Sequence, residues 1–204
     1  MITYEDQFNG KPILTDKNRK LGCETKTLEK IESLMDHVSQ KHNKVLCVRM
    51  DVRYPKDHHP PKDNKHIQKF ISKHVKYGKR NGYDPHYIWV REQSREKHQH
   101  YHFAMFYNGS KIQHPNKLLG KAEEHWSQTI GAKKEGLINY CKKSRNGETQ
   151  KNHYRLRRND DNYEQVKKDC FQRLSYFAKT NTKGKSPKRI REVSISRLPK
   201  NSDC

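Results

Sequence analysis

His98, His100 and His102 recur at period two in HQHYHFAMF, so on an extended strand they project from one face while Tyr101 and Phe103 point the other way. Upstream, YIWVRE ends in Glu92, and only the charged connection QSREKHQ separates the two runs. Strands this close in sequence predict an antiparallel hairpin. Placing Glu92 opposite His100 also pairs Val90 with His102 and Ile88 with Ala104. Directly paired residues share a face, with Cβ atoms about 4.5–5.5 Å apart. A carboxylate and two neutral imidazoles then converge on one side of a divalent ion whose other side stays open to a phosphate oxygen. Mg²⁺ or Mn²⁺ suits that role. Two histidines at i, i+2 alone would favour ordinary hydrogen bonding; Glu92 tips the reading toward a metal site. His98, inside the charged connection, reads as a loop residue or DNA contact rather than a ligand, and His58-His59 reads as surface.

A second constellation lies near the C-terminus, on a helix expected from about Asn162 to Lys179. At 100° per residue, Val166, Cys170, Phe171, Leu174, Phe177 and Ala178 fall within an arc of about 140° that forms its core side. Tyr176 falls roughly 150° from the arc's centre, and Lys179 sits beside it at i+3. A tyrosine outside the main stripe with an adjacent ammonium invites a functional reading. Tyr140 and Lys143 repeat the spacing, so the pair is informative only together with the Glu/His/His group.

The remaining pattern supplies the elements that must position these residues. Thr27 is a plausible N-cap for a helix through about Lys41 with Leu28, Ile31, Leu34, Met35 and Val38 buried. VLCVRMDVRYP (45–55) alternates, with Leu46, Val48, Met50 and Val52 on one face and Cys47, Arg49, Asp51 and Arg53 on a mostly polar one. Residues 63–80 read as a helix buried along Ile67, Phe70, Ile71, His74 and Val75. Strands at 86–92 and 100–108 follow, then a helix over about 116–129 with Leu118, Leu119, Ala122 and Trp126 inward. A shorter amphipathic piece spans 136–143, and 144–160 reads as basic and irregular. The fold class is therefore α+β, a central antiparallel sheet flanked by helices.

At 204 residues the chain is about 1.4 times a typical domain, so one domain with extensions is expected. The division is an N-terminal extension with one helix (1–44), a core domain (45–182) and a basic tail (183–204). That tail carries seven Lys or Arg after residue 182 against Glu192 and Asp203, and is expected to be mobile until it meets a partner. Net charge is +21, which makes a polyanion, most often nucleic acid, the default partner. Arg49, Arg53, Arg91 and Lys143 are the candidate DNA contacts. No run approaches the roughly 18 apolar residues of a membrane span, and no secretory signal opens the sequence, so a cytoplasmic protein is expected. Five scattered cysteines without a CxxC fit neither a disulfide framework nor a thiolate zinc site and read as reduced thiols. The only GKS, at Gly184-Lys185-Ser186, lacks the upstream glycine of a phosphate loop, which excludes a helicase.

The ordered set VRMDVRYP, YIWVREQ, HQHYHFAMFYN and RLSYFAKTNTKGK resembles the HUH endonuclease superfamily of rolling-circle replication initiators, relaxases and related transposases. Within it, the pattern is similar to the inovirus and prophage replication proteins with a YagK/YfjJ C-terminal domain, over roughly residues 45–185. The resemblance implies an α/β sandwich on a central antiparallel sheet, His100 and His102 as metal ligands with Glu92 as a third, and Tyr176 as nucleophile assisted by Lys179. It further implies nicking and joining of single-stranded DNA at a replication origin through a 5′-phosphotyrosine, with a free 3′-OH as primer and unwinding left to a host helicase and replication machinery. Some phage initiators carry two tyrosines on this helix; here Thr180 occupies i+4, so a single-tyrosine mechanism is implied. Other readings stay open: a catalytically silent nucleic-acid-binding protein such as a repressor or packaging factor, a zinc-stabilised interaction protein, and a mobilisation relaxase.

Overall fold

The computed structural model describes residues 1–93, 99–133, 136–144, 146–180 and 186–199. The N-terminal segment forms two small ladders, β1 (Ile2–Thr3) against β4 (Cys23–Glu24) and β2 (Gln7–Phe8) against β3 (Lys11–Pro12). Helix α1 (Thr25–Lys41) starts directly from β4, with Glu24 in an extended conformation at its N-cap. Thr27 is therefore not the cap: it lies buried inside the first turn, with its hydroxyl bonded to the Glu24 carboxylate. The expected stripe of Leu28, Ile31, Leu34, Met35 and Val38 is buried.

Strand β5 (Lys44–Val52) runs next, followed by helix α2 (Lys65–Arg80), the hairpin of β6 (His86–Glu92) and β7 (His100–Asn108), and helix α3 (Asn116–Ile130). Then come β8 (Ile138–Asn139), β9 (His153–Arg157), helix α4 (Tyr163–Ser175), a single 3₁₀ turn (Tyr176–Ala178) and β10 (Val193–Ile195). The main sheet is antiparallel and six-stranded in the order β10-β6-β7-β5-β8, with β9 pairing the same edge of β5 farther along. Hairpin pairing follows the predicted parity, with Glu92 opposite His100, Val90 opposite His102 and Ile88 opposite Ala104.

Helices cover both faces of this sheet. On one side α2 and α3 pack over Leu46, Val48, Met50, Val52, Trp89, Tyr101, Phe103 and Met105. On the other, α1, α4 and the 3₁₀ turn pack over Val45, Cys47, Ile88, Val90, Ala104 and Phe106. That second layer corrects the reading of β5 as a strand with an open polar face: Arg49 and Asp51 are only 5% and 6% exposed. Polar residues enclosed this way must be paired or serve a purpose, because an unpartnered buried polar group is costly.

Two further expectations change. Residues 153–157, expected within an irregular stretch, form β9, whose Tyr154 and Leu156 alternate inward between His153, Arg155 and Arg157. Only two apolar residues carry the period, and the surrounding cations hide it. The tail, expected to be mobile, contributes β10, which adds to the outer edge of β6 with Val193 opposite Val90 and Ile195 opposite Ile88. The Arg91 amide donates to Glu192 O at 2.7 Å and the Ser196 amide to Tyr87 O at 2.8 Å, closing the ladder at both ends. Among the described residues, Cys23, Cys47, Cys141 and Cys170 are buried and none is in a disulfide. No helix among them is long and apolar enough to cross a membrane.

The added strand makes a kinetic prediction. Backbone amides bonded in the β10–β6 ladder should exchange with solvent at least ~10²-fold more slowly than in an unfolded tail, as measured by hydrogen-exchange mass spectrometry of the peptide spanning 190–199. Exchange at the unstructured rate would show that the tail does not hold the edge.

Candidate functional site

At the end of the hairpin the pleat brings Glu92, His100 and His102 together. One ligand atom from each lies within 4.8 Å of the others. Glu92 Oε2 is 3.0 Å from His102 Nε2 and 3.5 Å from His100 Nε2, and the two imidazole rings stand edge to face with centroids 5.0 Å apart. Glu92 and His102 are buried, whereas His100 is a quarter exposed, which leaves the group open on one side. The structure thus brings together all three residues expected as ligands. His98 lies outside the described residues.

Asp51 completes the arrangement and was not singled out from the sequence. It pairs directly with His102 across β5 and β7, and His102 Nδ1 donates to Asp51 Oδ1 at 2.6 Å. With Nδ1 carrying the proton, the lone pair of Nε2 faces Glu92; a carboxylate that orients an imidazole in this way also raises its basicity toward a metal. Buried Nε2 lacks a hydrogen bond of good geometry although Glu92 Oε2 is 3.0 Å away. Two acceptor atoms that close need a positive charge between or beside them, either a proton on the ring or a cation. Glu92, His100 and His102 therefore form a group whose donor set and geometry could hold a metal ion, and carboxylate with imidazole fits a borderline or hard divalent cation.

The electrostatics agree. Burial alone would raise the Asp51 pKa, but His102, Arg49 and Arg53 outweigh it and hold the carboxyl well below its usual range. Burial pulls the His102 pKa down, but Asp51 and Glu92 overcome that and raise it above the ordinary imidazole value. Arg49 Nη2 lies 3.7 Å from Asp51 Oδ1 and Arg53 Nη2 3.6 Å from Asp51 Oδ2; the Arg53 side chain is about half exposed. On the remaining edge, Cys141 is a neutral thiol, pushed up to about 12 by burial and the neighbouring Asp51.

Tyr176 reaches this group from α4. The helix expected to run through Lys179 ends at Ser175, and a 3₁₀ turn carries Tyr176, Phe177 and Ala178. The cause is tertiary: Lys179 leaves the helix to form a bridge with Cys23, and the Thr180 amide donates to Gly22 O at 3.2 Å. The Tyr176 ring stands edge-on to His102 with centroids 5.1 Å apart, and Phe177 stacks on the same imidazole at 6.0 Å. Lys179 Nζ lies 5.0 Å from the Tyr176 ring centroid and the Arg49 guanidinium 4.9 Å from it. Tyr176 lies outside the apolar arc as expected, yet it faces the polar end of the sheet and is half-buried.

The N-terminal segment fixes this turn. Ser175, fully buried, accepts from the Leu14 amide at 2.8 Å through Oγ, and Cys23 Sγ donates to Ser175 O at 3.8 Å. A Cβ on Gly22 would come within 2.5 Å of the Ile2 side chain and 2.9 Å of Thr3 O, so only glycine permits that close approach. Nothing local in the sequence signals these contacts, which span up to 161 residues.

One expected DNA contact is placed differently. Arg91 is 1% exposed and points to the opposite face of the sheet, where its guanidinium donates to Asp63 O, Asn64 Oδ1 and Gln99 Oε1. Parity decides this, because Ile88, Val90 and Glu92 take the site face and Trp89 and Arg91 the other. Arg91 is thus an internal tie rather than a DNA contact. Lys143 is exposed, bridged to Thr149 between β8 and β9.

The model of the YagK/YfjJ C-terminal domain family matches residues 3–191. The chain belongs to this family. Its match takes in the N-terminal segment and α1 as well as the hairpin, so the family's domain begins well before residue 45. The chain is also 26% identical over 187 aligned positions to the uncharacterized protein YfjJ of Escherichia coli strain K12, covering 76% of this chain and 86% of that protein. No solved structure matches it. In this member of the YagK/YfjJ C-terminal domain family, the span of the family match coincides with the pieces that hold Tyr176 against His102.

Removing the orienting carboxylate should be read in metal affinity. Asp51→Asn is expected to weaken Mn²⁺ binding by about 10–100-fold in isothermal calorimetry; unchanged affinity would take Asp51 out of the site. In the metal-free protein the raised His102 pKa gives a stabilisation fully present below the unfolded value near 6.5 and lost as pH rises through the folded value. From about pH 6 to about pH 9 the wild type should accordingly lose more stability to urea than Asp51→Asn does, and superimposable profiles would refute the coupling.

Proposed function

We propose that the protein is a metal-dependent HUH-type endonuclease and strand transferase. In this reading it nicks and rejoins single-stranded DNA at an origin to initiate rolling-circle replication of a phage or prophage element. The observation that carries the proposal is the edge-on contact of the Tyr176 ring with His102, which sets a phenol beside a Glu/His/His group able to hold a metal ion.

Glu92, His100 and His102 would hold the ion, Mg²⁺ or Mn²⁺, which when bound supplies Lewis-acid polarisation of a nonbridging phosphate oxygen. Tyr176 Oη attacks phosphorus, the phosphorus–O3′ bond breaks, and the strand is left with a free 3′-OH and a 5′ end esterified to the phenol. The phenolic proton departs and the leaving 3′ oxygen takes one up, so the step is proton-neutral. Lys179 and Arg49, both within about 5 Å of the ring, place positive charge where the phenolate and the crowded phosphoryl oxygens develop negative charge. Asp51 holds the His102 ring in the orientation that turns Nε2 toward Glu92.

Charge supports a polyanionic substrate. Glu92 and Asp51 bring two negative charges to the site, against four positive ones from Arg49, Arg53, Lys179 and, on the helix turn before Tyr176, Arg173. Across the whole chain the balance is +21, which gives sequence-independent affinity for phosphate backbones that falls steeply with salt.

Incubation with circular single-stranded DNA carrying candidate origins and Mn²⁺, followed by denaturation, nuclease digestion and mass spectrometry, should find a nucleotide on Tyr176. The adduct should vanish in Tyr176→Phe and with a chelator, and fall by about 10²-fold or more in His102→Ala. Tight binding to origin DNA without an adduct would favour a silent binding protein.

A further inference from the structure

We infer that Arg49 and Arg173 together form an anion pocket beside Tyr176 that holds a phosphate oxygen of the strand being cut. The two arginines and their unpaired Nε groups are read from the structure; assigning their anion to the scissile phosphate rests on the nuclease reading above.

Arg49 is buried and Arg173 half-buried, and both are incompletely paired. Arg49 projects from β5 with its side chain 6% exposed, lies across the faces of Tyr176 and Phe177 at 4.9 and 5.6 Å, and reaches only the edge of Asp51. Arg173 projects from α4 one turn before Tyr176, and its terminal nitrogen donates to the neutral amide oxygen of Gln150. In each case Nε is buried without a hydrogen-bond partner. A buried N–H of a charged group left unpaired is costlier than a neutral one. The two cations also repel: burial and the neighbouring Arg49 lower the Arg173 pKa.

Charge available inside the cluster does not resolve this. Asp51 is shared by Arg49, Arg53 and the His102 N–H. Cys141, the other acidic group beside both arginines, is a neutral thiol. What the pair lacks is an acceptor bearing negative charge, small enough to sit between a tyrosine ring and a sheet. A phosphate oxygen fits, because guanidinium N–H groups form short, charge-assisted and often bidentate bonds with phosphate. Arg173 lies in the last turn of α4, three residues before Tyr176 on the 3₁₀ turn that follows, so an anion bound between Arg173 and Arg49 lies near the attacking phenol rather than elsewhere on the basic surface.

The test uses the full chain with metal removed by chelator, and inorganic phosphate as the probe. At matched ionic strength, roughly 20 mM phosphate in place of chloride should raise the wild-type Tm by about 4–7 °C, the shift expected for a site with a Kd near 1 mM in a chain this size. Arg173→Met should lose most of that shift, Arg173→Lys should keep part of it, and Lys69→Met, on the exposed face of α2, should keep all of it. Absence of the shift in the wild type, or its full retention in Arg173→Met, overturns the pocket. Should Arg173→Met fail to fold, Arg173→Lys and the wild type still decide the matter. Adduct formation separates the two ideas: if Tyr176 becomes labelled, Arg173→Met should slow labelling by about 10²–10³-fold, and labelling at the wild-type rate overturns the assignment. A phosphate shift that depends on Arg173 with no adduct in any protein supports the pocket and removes the nuclease reading.

Discussion

The hydrogen bond from His102 Nδ1 to Asp51 Oδ1 decides which nitrogen of a buried imidazole faces Glu92, and the geometry of the site depends on it. Burial forces that pairing. With α1 and α4 covering the strand face, a carboxylate and an imidazole opposite one another on adjacent antiparallel strands must satisfy each other or remain desolvated and unpaired. Pairing fixes the tautomer, turns Nε2 toward Glu92 Oε2, and leaves His100 as the member open to solvent. β7 carries both histidines and is bonded on one side to the strand that supplies Asp51 and on the other to the strand that supplies Glu92. A slip of one residue in either ladder would move one carboxylate to the opposite face.

A nucleophile on a helix end is useful only if the end is held still, and a single 3₁₀ turn has little rigidity of its own. Here the N-terminal segment provides it: the Leu14 amide on Ser175 Oγ, Cys23 Sγ on Ser175 O, and the Lys179–Cys23 bridge converge within five residues of Tyr176. The residues that make these contacts lie within the family match, which begins at residue 3. A fragment that began at residue 45 would keep the Glu/His/His group and lose the supports of the tyrosine.

Much of this was legible in the sequence wherever one period ran uninterrupted. The hairpin, its register and the Glu92/His100/His102 cluster follow from parity alone, and the four helices follow from their apolar stripes. Asp51 was visible on the correct face of its strand, but nothing local indicates that β5 pairs with β7 rather than another strand, and that neighbour makes Asp51 the partner of His102. β9 and β10 were hidden for a simpler reason: each offers two or three apolar residues among many cations, too short a run for a period to show. Arg91 shows the converse error, in which charge suggested a surface role while alternation along β6 had already assigned it to the side opposite Glu92.

Net charge also misleads about where the cations act. Most of the surplus lies on exposed helix faces such as that of α2, where Lys65, Lys69, Lys73, Lys76 and Lys79 are solvated and partly screened. The few that are enclosed behave differently. Arg91 Nε also lacks a partner, but its terminal nitrogens are met by two oxygens from the α2 N-terminus and one from Gln99, and so hold the start of α2 to the hairpin. Arg49, buried against the Tyr176 ring, and Arg173, half-buried, have no such set of acceptors. Arg91 and Arg49 are about equally buried, so the difference between them lies in what each is offered as a partner. An arginine whose terminal nitrogens meet three oxygens from within is structural; one whose terminal nitrogens are left short of acceptors beside a tyrosine suits a ligand that brings its own negative charge.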